Sequence, residues 1–262
     1  MDPMYKKKLF HFKIFLFLIF FTNVSLSSET NLLKQEWSFK GLTGKFDRAS
    51  LQRGYQVYNE VCASCHSMNL LSYRNLGEEG GPEFSIEQVK AIAANFEVTD
   101  GPNDDGEMFT RPGRPSDKFV SPYPNVQAAM AANGGAYPPD MSVLVKARKG
   151  GADYIYSILM GYKEAPQGFE LEEGVYYNKY MDGNKIKMAN PLSDDLITYA
   201  DGTNATVSQM SKDVTTFLTW AAEPHLEKRH KMGLKVIIYL IIFTVLVYLS
   251  MRRLWSRIDS KK

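Results

Sequence analysis

The chain has 262 residues, of which 44% are hydrophobic and 23% are charged. This balance excludes an intrinsically disordered protein and a chain embedded throughout in a membrane. The formal net charge is +2, from 31 basic and 29 acidic residues. The overall positive charge typical of nucleic-acid-binding domains is absent, so we expect no nucleic-acid partner. Two cysteines are too few for a multi-bridge disulfide scaffold or a site of four thiolates.

The N-terminus has the order of regions typical of a secretory signal. Three lysines at positions 6–8 precede an apolar run from Leu9 to Phe21, and small or polar residues such as Ser27 follow. This run is too short to span a bilayer, which takes about 20 residues. We therefore predict a signal peptide over residues 1–27. The alternative is an uncleaved N-terminal anchor.

A second apolar run, from Gly233 to Met251, has the length of one membrane-spanning helix. Basic residues flank both of its ends, so the positive-inside rule by itself favours a cytoplasmic tail only weakly. The predicted signal decides the orientation, because it exports everything that precedes the second run. We predict a periplasmic domain over residues 28–230, a transmembrane helix over 233–251 and a cytoplasmic tail over 252–262.

The segment between these two ends predicts helices joined by long loops, and strand patterns are poor. Residues 98–124 and 161–206 are rich in Gly, Pro, Asn and Asp and are predicted to be loops, which at this length need an anchor or a function. The fold class is therefore all-α, with one C-terminal transmembrane helix. Six helices are predicted in this segment. The first begins at Asp47 or Ser50 and contains Leu51, Tyr55, Tyr58 and Cys62; the second follows the capping box Ser85–Gln88; the third runs from Asn125 to Gly134; the fourth is capped by Asp140 and covers Met141–Lys149; the fifth runs from Asp153 to Met160; and the sixth covers Ser208–Ala222.

The most specific motif is the five-residue segment Cys62-Ala-Ser-Cys65-His66. Cys-x-x-Cys-His is the attachment pattern of c-type haem. Two thiols one helical turn apart can each form a thioether with a vinyl group on one porphyrin edge, and the next histidine can then bind the iron. A thioredoxin-like pair would need a βαβ context, and a zinc site would need two further ligands. A disulfide here would close too small a loop to stabilise the fold. We predict one covalent haem c.

The sixth ligand of the iron decides between two kinds of function. A methionine opposite the histidine closes the site and suits electron transfer, whereas an open position binds small ligands. Met188 lies in an extended, proline-bounded loop far along the chain from His66, where a flexible thioether can reach iron without breaking a helix. We favour Met188, with Met141 next. Other methionines lie in the two terminal segments, on the apolar faces of predicted helices, or directly beside His66, and these are less suitable. The candidates that remain are Met108, Met141, Met181 and Met188.

Beyond this motif, the sequence resembles the cytochrome c1 family, the membrane-anchored haem subunits of cytochrome bc1 (ubiquinol–cytochrome c reductase) complexes. The resemblance covers about Trp37 to Trp255, nearly the whole predicted mature chain. It is specific because it involves several long segments. These are Arg53–Tyr58 leading into Cys62–Met68, Asp100–Phe109 with Arg111–Gly113, Ala132–Asp140, Arg148 with Gly150–Tyr154, Met188-Ala189, Asp201–Thr206 and Trp220–Pro224.

The resemblance implies that Cys62 and Cys65 bind the haem covalently and that His66 and Met188 are its axial metal ligands. It also implies a haem environment formed by an asparagine, a proline pair and an arginine. An arginine suits a haem propionate because its guanidinium presents a fork to a carboxylate. Without the resemblance, this arginine would be interpreted as a solvated cation at a helix end. In this chain the four residues are Asn133, Pro138, Pro139 and Arg148.

The family's function would then be electron transfer from a Rieske iron–sulfur protein to cytochrome c, with cytochrome b as the membrane partner. The chain would be no enzyme on its own, because quinol chemistry belongs to the partner subunits. Its location would be the bacterial cytoplasmic membrane with the haem domain in the periplasm, or the mitochondrial inner membrane with that domain in the intermembrane space. The alternatives are an anchored, peroxidase-like haem enzyme with an exchangeable sixth ligand, and an anchored c-type electron carrier outside any bc1 complex.

Acidic residues are concentrated in two clusters, although the chain as a whole is near neutral. Each could be an ordinary solvated face, but clustered charge can also steer a basic partner, and then association weakens steeply with salt. The first acidic cluster is Glu78, Glu79, Glu83, Glu87, Glu97, Asp100, Asp104, Asp105 and Glu107, with Lys90 as the single basic residue among them. The second acidic cluster is Glu164, Glu170, Glu172 and Glu173.

Overall fold

The computed structural model describes residues 31–259, and most of its regular structure is helical. The chain divides after Asn31, and the described residues lie almost entirely in the second unit, Leu32–Lys262. The predicted signal peptide, residues 1–27, lies outside the described residues. The predicted all-α class is confirmed. The α-helices of the described part are α1 (Arg48–Glu60), α2 (Ile86–Ala94), α3 (Val126–Ala132), α4 (Ala152–Met160), α5 (Val207–Ala222) and α6 (Leu226–Asp259).

Three helices begin at the capping residues that the sequence predicts. The Asp47 carboxylate accepts hydrogen bonds from the first turn of α1. Ser85 and Gln88 form the reciprocal capping box of α2, and the Asn125 side chain accepts from the first turn of α3. These side chains satisfy amide groups that a helix leaves without internal partners, which fixes where each helix begins.

α1 packs against α5 at very short range. A Cβ atom at Gly54 would lie 2.1 Å from the main-chain oxygen of Asp213, so no larger residue fits. The Asp213 carboxylate is fully buried, and it accepts hydrogen bonds from Arg53 at 2.8 Å and from the Ser50 hydroxyl at 2.6 Å. These partners offset the unfavourable burial of its charge. These contacts fix the position of α1, which ends just before Cys62.

Aromatic side chains form the centre of the core. Tyr58 from α1 contacts Phe119 and Phe217, with ring centroids 6.1 and 5.8 Å apart. The rings of Tyr73 and Phe119 stack with their centroids at 4.7 Å. Each buried ring removes a large apolar area from water, and such ring pairs add about 0.5–1.5 kcal/mol beyond that burial. The segment that follows the Cys-Ala-Ser-Cys-His motif is built into this cluster through Leu71 and Tyr73, both buried.

The C-terminal helix α6 has 34 residues, which corresponds to a length of about 51 Å. Over Leu226–Arg257 it is long and apolar enough to cross a membrane. Its first turn belongs to the folded domain: Glu227 is buried, accepts two hydrogen bonds from Arg48 at 2.7 and 3.0 Å, and accepts one from the Phe46 amide. The helix therefore begins before the predicted span at residue 233 and continues into it without a break.

The predicted helix over Met141–Lys149 is wrong, because this segment forms successive turns. Asp140 accepts a hydrogen bond from the Ser142 amide, as a capping residue would, but its other oxygen bonds to a segment about 70 residues earlier. The Met141 amide donates to the main-chain oxygen of Ser67 at 2.8 Å. These tertiary contacts override the helical propensity of the segment.

The predicted loops contain two antiparallel hairpins. In the first, β1 (Glu97–Asp100) pairs with β2 (Phe109–Pro112), and in the second the two-residue strands β3 (Tyr176–Tyr177) and β4 (Lys185–Ile186) pair. Arg111 on β2 donates hydrogen bonds to Asp100 and to Asp117, which ties the first hairpin to the neighbouring chain. Neither hairpin changes the helical class, but both give the long loops fixed anchor points.

Candidate haem site

The two cysteines lie on one tight turn that directly follows α1. The helix ends at Glu60, and residues 62–64 form a single 3-10 turn. The amides of Cys65 and His66 both donate to the main-chain oxygen of Cys62, at 3.1 and 2.9 Å. Both thiols are free and half-buried, and burial raises the pKa of Cys62 to about 12. The predicted spacing of the two thiols, one helical turn apart, is present in the structure.

His66 is buried, and its ring is fixed by a main-chain acceptor. Nδ1 lies 2.8 Å from the carbonyl oxygen of Pro139, which can only accept a hydrogen bond, so Nδ1 is the protonated nitrogen. Nε2 is therefore the nitrogen left to bind a metal. Burial lowers the pKa of His66, although the bond to Pro139 and the nearby Asp140 carboxylate oppose this effect. The neutral ring, which is the form that binds iron, is favoured.

Asp140 joins the segment of Pro139 to the segment of His66. Its carboxylate accepts hydrogen bonds from the Ser67 hydroxyl and the main-chain amide of Asn69, both at 2.9 Å, and from the main-chain amide of Ser142 at 2.8 Å. Burial by itself would raise the pKa of Asp140, but these hydrogen bonds outweigh it and the pKa is lowered. We call residues 67–70 and 139–142, with their mutual hydrogen bonds, the Asp140 clasp. It fixes the Pro139 oxygen relative to the imidazole.

A cleft opens beside Cys65, and Pro138 forms part of its wall. Val126 and Tyr137 also line it, and they are 45% and 50% exposed. Met130, one turn after Val126 on α3, is 39% exposed. Exposed apolar side chains that lie together are typical of surfaces to which another apolar group binds. A flat porphyrin attached to the two thiols fits this surface.

Asn133 supports the wall of the cleft through Tyr123. Its side-chain amide donates to the Tyr123 hydroxyl at 3.2 Å and to the main-chain oxygen of Ala129 at 2.7 Å, and Tyr123 lines the cleft. The main-chain oxygen of Gly134 is 3.5 Å from the Lys187 ammonium group. This contact brings the loop that contains the favoured methionine to the same end of α3.

Met188 lies in that loop and is half-buried. Its carbonyl oxygen accepts a hydrogen bond from the Tyr162 hydroxyl at 3.0 Å. The other candidates differ: Met141 is buried in the core, Met108 is 61% exposed on the first hairpin, and the Met181 sulfur accepts a hydrogen bond from a tyrosine hydroxyl. The assignment of Met188 as the sixth ligand stays a prediction from the sequence.

Arg148 lies at the exposed end of the turns that follow Met141. Its guanidinium donates to the main-chain oxygen of Ala147 at 3.1 Å and forms no ion pair with a carboxylate within residues 31–259. No hydrogen bond or ion pair in the described part of the chain joins it to His66 or to Cys65. The structure thus links Cys65, His66, Asn133, Pro138 and Pro139 around one cleft and its flanking segments, brings the Met188 loop towards it, and leaves Arg148 at the surface.

Two residues of the site were not predicted in their actual roles. Asp140 was predicted to cap a helix, and no sequence pattern indicated its bonds to Ser67 and Asn69. Tyr162 was not singled out, since it stands in a segment predicted to be a loop, 26 residues before Met188. The sequence offers no signal for either contact, because each joins segments that are far apart along the chain.

The thiol pair, the fixed imidazole, the cleft beside Cys65 and the long C-terminal helix together define a class: a c-type haem domain joined to one helix of membrane-spanning length. Comparison with known proteins then specifies the family. The sequence model of the cytochrome C1 family matches residues 37–258. Because this match covers most of the chain, the protein belongs to the cytochrome c1 family, and the resemblance stated above is confirmed.

Similar proteins occur in bacteria and in mitochondria. "Cytochrome b/c1" of Bradyrhizobium diazoefficiens is 52% identical over 240 residues, which are 84% of this chain and 35% of that longer protein. "Cytochrome c1-2, heme protein, mitochondrial" of Solanum tuberosum is 50% identical over 226 residues, 86% of each chain. "Cytochrome b-c1 complex catalytic subunit, mitochondrial" of Candida albicans is 48% identical over 227 residues, 86% of this chain and 78% of that protein.

Proposed function

We propose that this chain is the covalent-haem subunit of a cytochrome bc1 complex and transfers electrons from the Rieske iron–sulfur protein to cytochrome c. The observation that carries the proposal is the turn at Cys62 and Cys65, followed by His66 with Nδ1 bonded to the Pro139 oxygen. This arrangement offers two attachment points and one axial ligand in a fixed relation. A haem c supplies reversible one-electron oxidation and reduction of its iron.

The residues of this chain would hold and surround that group. Cys62 and Cys65 form the thioethers, and His66 and Met188 are the axial ligands, which closes the site. Asn133, Pro138 and Pro139 line the haem. Arg148 pairs with a propionate, which is consistent with a guanidinium that meets no carboxylate in the described residues. A closed His/Met site favours electron transfer over ligand chemistry.

The partners follow from the family and from the names of the relatives. One relative is named as a cytochrome b-c1 complex subunit and another as cytochrome b/c1, which supports cytochrome b as the membrane partner of this chain. Cytochrome b binds the quinol in such a complex, so this chain alone is no enzyme. The signal predicted over residues 1–27 and helix α6 would place the domain outside the cytoplasmic membrane, or in the intermembrane space of a mitochondrion.

The covalent attachment is tested by a pyridine haemochrome spectrum of the purified mature chain, together with its mass. We expect a c-type spectrum, a mass increased by one haem and a colour that acid–acetone does not extract. Cys62→Ala and Cys65→Ala should each leave at most one thioether and shift the haemochrome band. Complete extraction of the haem from the native chain, or a colourless product from a host with a c-type maturation system, would overturn the proposal.

Carbon monoxide distinguishes the closed site from the alternative enzyme. The reduced native protein should not bind it, because Met188 occupies the sixth position, whereas Met188→Leu should bind it. A peroxidase-like site would bind it without any substitution.

Isolation in mild detergent addresses the other alternative: a bc1 subunit copurifies with a two-haem b-type subunit, and a carrier outside such a complex does not.

A further inference from the structure

The loop of Met188 has little main-chain support of its own. Within the described part of the chain, residues 188–191 form no main-chain-to-main-chain hydrogen bond with another segment. The hydroxyl of Tyr162 supplies the tertiary hydrogen bond that reaches this stretch, at 3.0 Å from the Met188 oxygen. The contact of Lys187 next to it is 3.5 Å long and exposed, and a bond of that length is weak.

Tyr162, by contrast, stands on a rigid base at the end of α4. Asn178 is fully buried, and its side-chain amide donates to the Ile158 oxygen in the last turn of that helix at 2.7 Å. A Cβ atom at Gly161 would lie 2.3 Å from the Asn178 side-chain oxygen, so the two segments approach as closely as a glycine permits. The Lys179 amide donates to the Gly161 oxygen, and Tyr162 pairs with Asn178 as an isolated bridge.

The phenol is half-buried in the same region, and burial raises its pKa above the usual value. A tyrosine hydroxyl is protonated at neutral pH in any case and is therefore a donor. A carbonyl oxygen in a loop without other partners is a suitable acceptor. The bond from Tyr162 thus transfers the rigidity of α4 to the main chain of Met188.

We propose that Tyr162 is a positioning residue that holds Met188 on the haem iron and so limits how often the sixth position opens. This inference rests on the proposed function, in which Met188 is the sixth ligand. An external ligand can bind only to the open state, so its apparent affinity rises in proportion to the open fraction. Removing one hydrogen bond of ordinary strength from the closed state raises that fraction roughly 2- to 10-fold.

The test is an imidazole titration of the ferric protein in the isolated complex, followed at the absorption bands of the c-type haem. Tyr162→Phe keeps the ring and removes the hydroxyl, so we expect the apparent affinity to rise roughly 2- to 10-fold. The matched control is Tyr177→Phe. Tyr177 lines the same surface cleft as Tyr162, and its hydroxyl forms no hydrogen bond within the described residues. This control should leave the affinity unchanged.

The outcomes separate this inference from the proposed function. If Met188→Leu changes neither imidazole binding nor the weak long-wavelength band of sulfur-ligated ferric haem, Met188 is not the ligand and the ligand assignment fails. If Met188→Leu opens the iron but Tyr162→Phe behaves like Tyr177→Phe, only the role of Tyr162 is refuted. A merely structural effect of Tyr162→Phe would lower the melting temperature and leave imidazole affinity at the native value, which also refutes the inference.

Discussion

His66 and Met188 belong to two regions of the molecule that are built differently. His66 is buried, follows the turn that ends α1, and has its ring bonded to Pro139 and its neighbouring residues bonded to Asp140. Met188 is half-buried in a loop between a two-residue strand and Leu192. Among residues 31–259, the hydroxyl of Tyr162 supplies the one hydrogen bond from another segment to the main chain of residues 188–191.

The difference concerns local stability. The histidine side shares the aromatic core through Tyr58, whose hydroxyl donates to the His66 oxygen at 3.3 Å, and through Leu71 and Tyr73. Opening that side requires the core to unfold. The loop on the methionine side has few buried contacts, and such segments open with a much smaller free energy than the global one. One proposed ligand is therefore fixed by the core, and the other, if the proposal holds, is exchangeable.

The largest expected effect follows from this contrast. His66→Ala should abolish accumulation of the mature haem protein, whereas Met188→Leu should retain the haem and lower the reduction potential by tenths of a volt, the scale on which axial ligands act.

In a guanidinium titration of the native ferric protein in detergent, the sulfur-ligation band should disappear before the helical circular dichroism signal. Met188→Leu should show only the second transition.

Coincident loss of the sulfur-ligation band and the helical signal would contradict the contrast, because it would mean that both ligands share one cooperative unit. The same conclusion would follow if His66→Ala accumulated a stable haem protein while Met188→Leu did not.

Features determined by neighbouring residues could be predicted from the sequence. The Cys62–His66 turn, the capping residues Asp47, Ser85 and Asn125, and the long apolar helix each depend on side chains within a few positions of each other. Local hydrogen bonds and helical periodicity determine such features, and the structure contains all of them.

The first hairpin could not be predicted, for a physical reason. Most residues of β1 and β2 are exposed or half-buried, so neither strand has the alternation of apolar and polar residues that marks a strand with one buried face. The pairing is supported instead by Arg111, which bonds to Asp100 within the hairpin and to Asp117 outside it.

Long-range contacts also explain the misassigned helix after Asp140. A capping residue followed by an apolar segment predicts a helix, and nothing local shows that the carboxylate bonds to Ser67 and Asn69 instead. The hydrogen bond from Tyr162 to Met188 is a contact of the same kind. The residues that contact the two proposed ligands are therefore harder to predict from the sequence than the proposed ligands themselves.

A smaller effect is expected from the Asp140 clasp. Asp140→Ala removes the acceptor of three hydrogen bonds, so the free energy of unfolding should fall by about 1–3 kcal/mol, a decrease of several degrees in melting temperature. The matched control is Asp182→Ala on the methionine side, at an exposed residue, with an expected change within about 0.5 kcal/mol. Thermal unfolding followed by circular dichroism measures both. Equal effects of the two substitutions would show that the clasp does not stabilise the histidine side.

The smallest effect concerns the two acidic clusters, of which the second reaches the surface cleft beside the Met188 loop. Glu164 of the second acidic cluster lines the surface cleft that also contains Tyr162, whereas Asp104, Asp105 and Glu107 are exposed at the first hairpin. A partner that approaches the haem from the methionine side would meet the second cluster first. Charges near the contact affect association more than remote ones, because salt screens beyond about 10 Å at 0.1 M.

We therefore expect the triple substitution Glu164→Gln, Glu170→Gln, Glu173→Gln to slow association with a basic c-type cytochrome about 10-fold at low ionic strength. The matched triple Asp104→Asn, Asp105→Asn, Glu107→Gln removes the same charge and should slow it only about 2-fold. Stopped-flow electron transfer measured over a range of salt concentrations compares them, and both differences should vanish at high salt. A rate of the native protein that does not depend on salt would refute steering, and a larger effect of the hairpin triple would place the docking surface away from Met188.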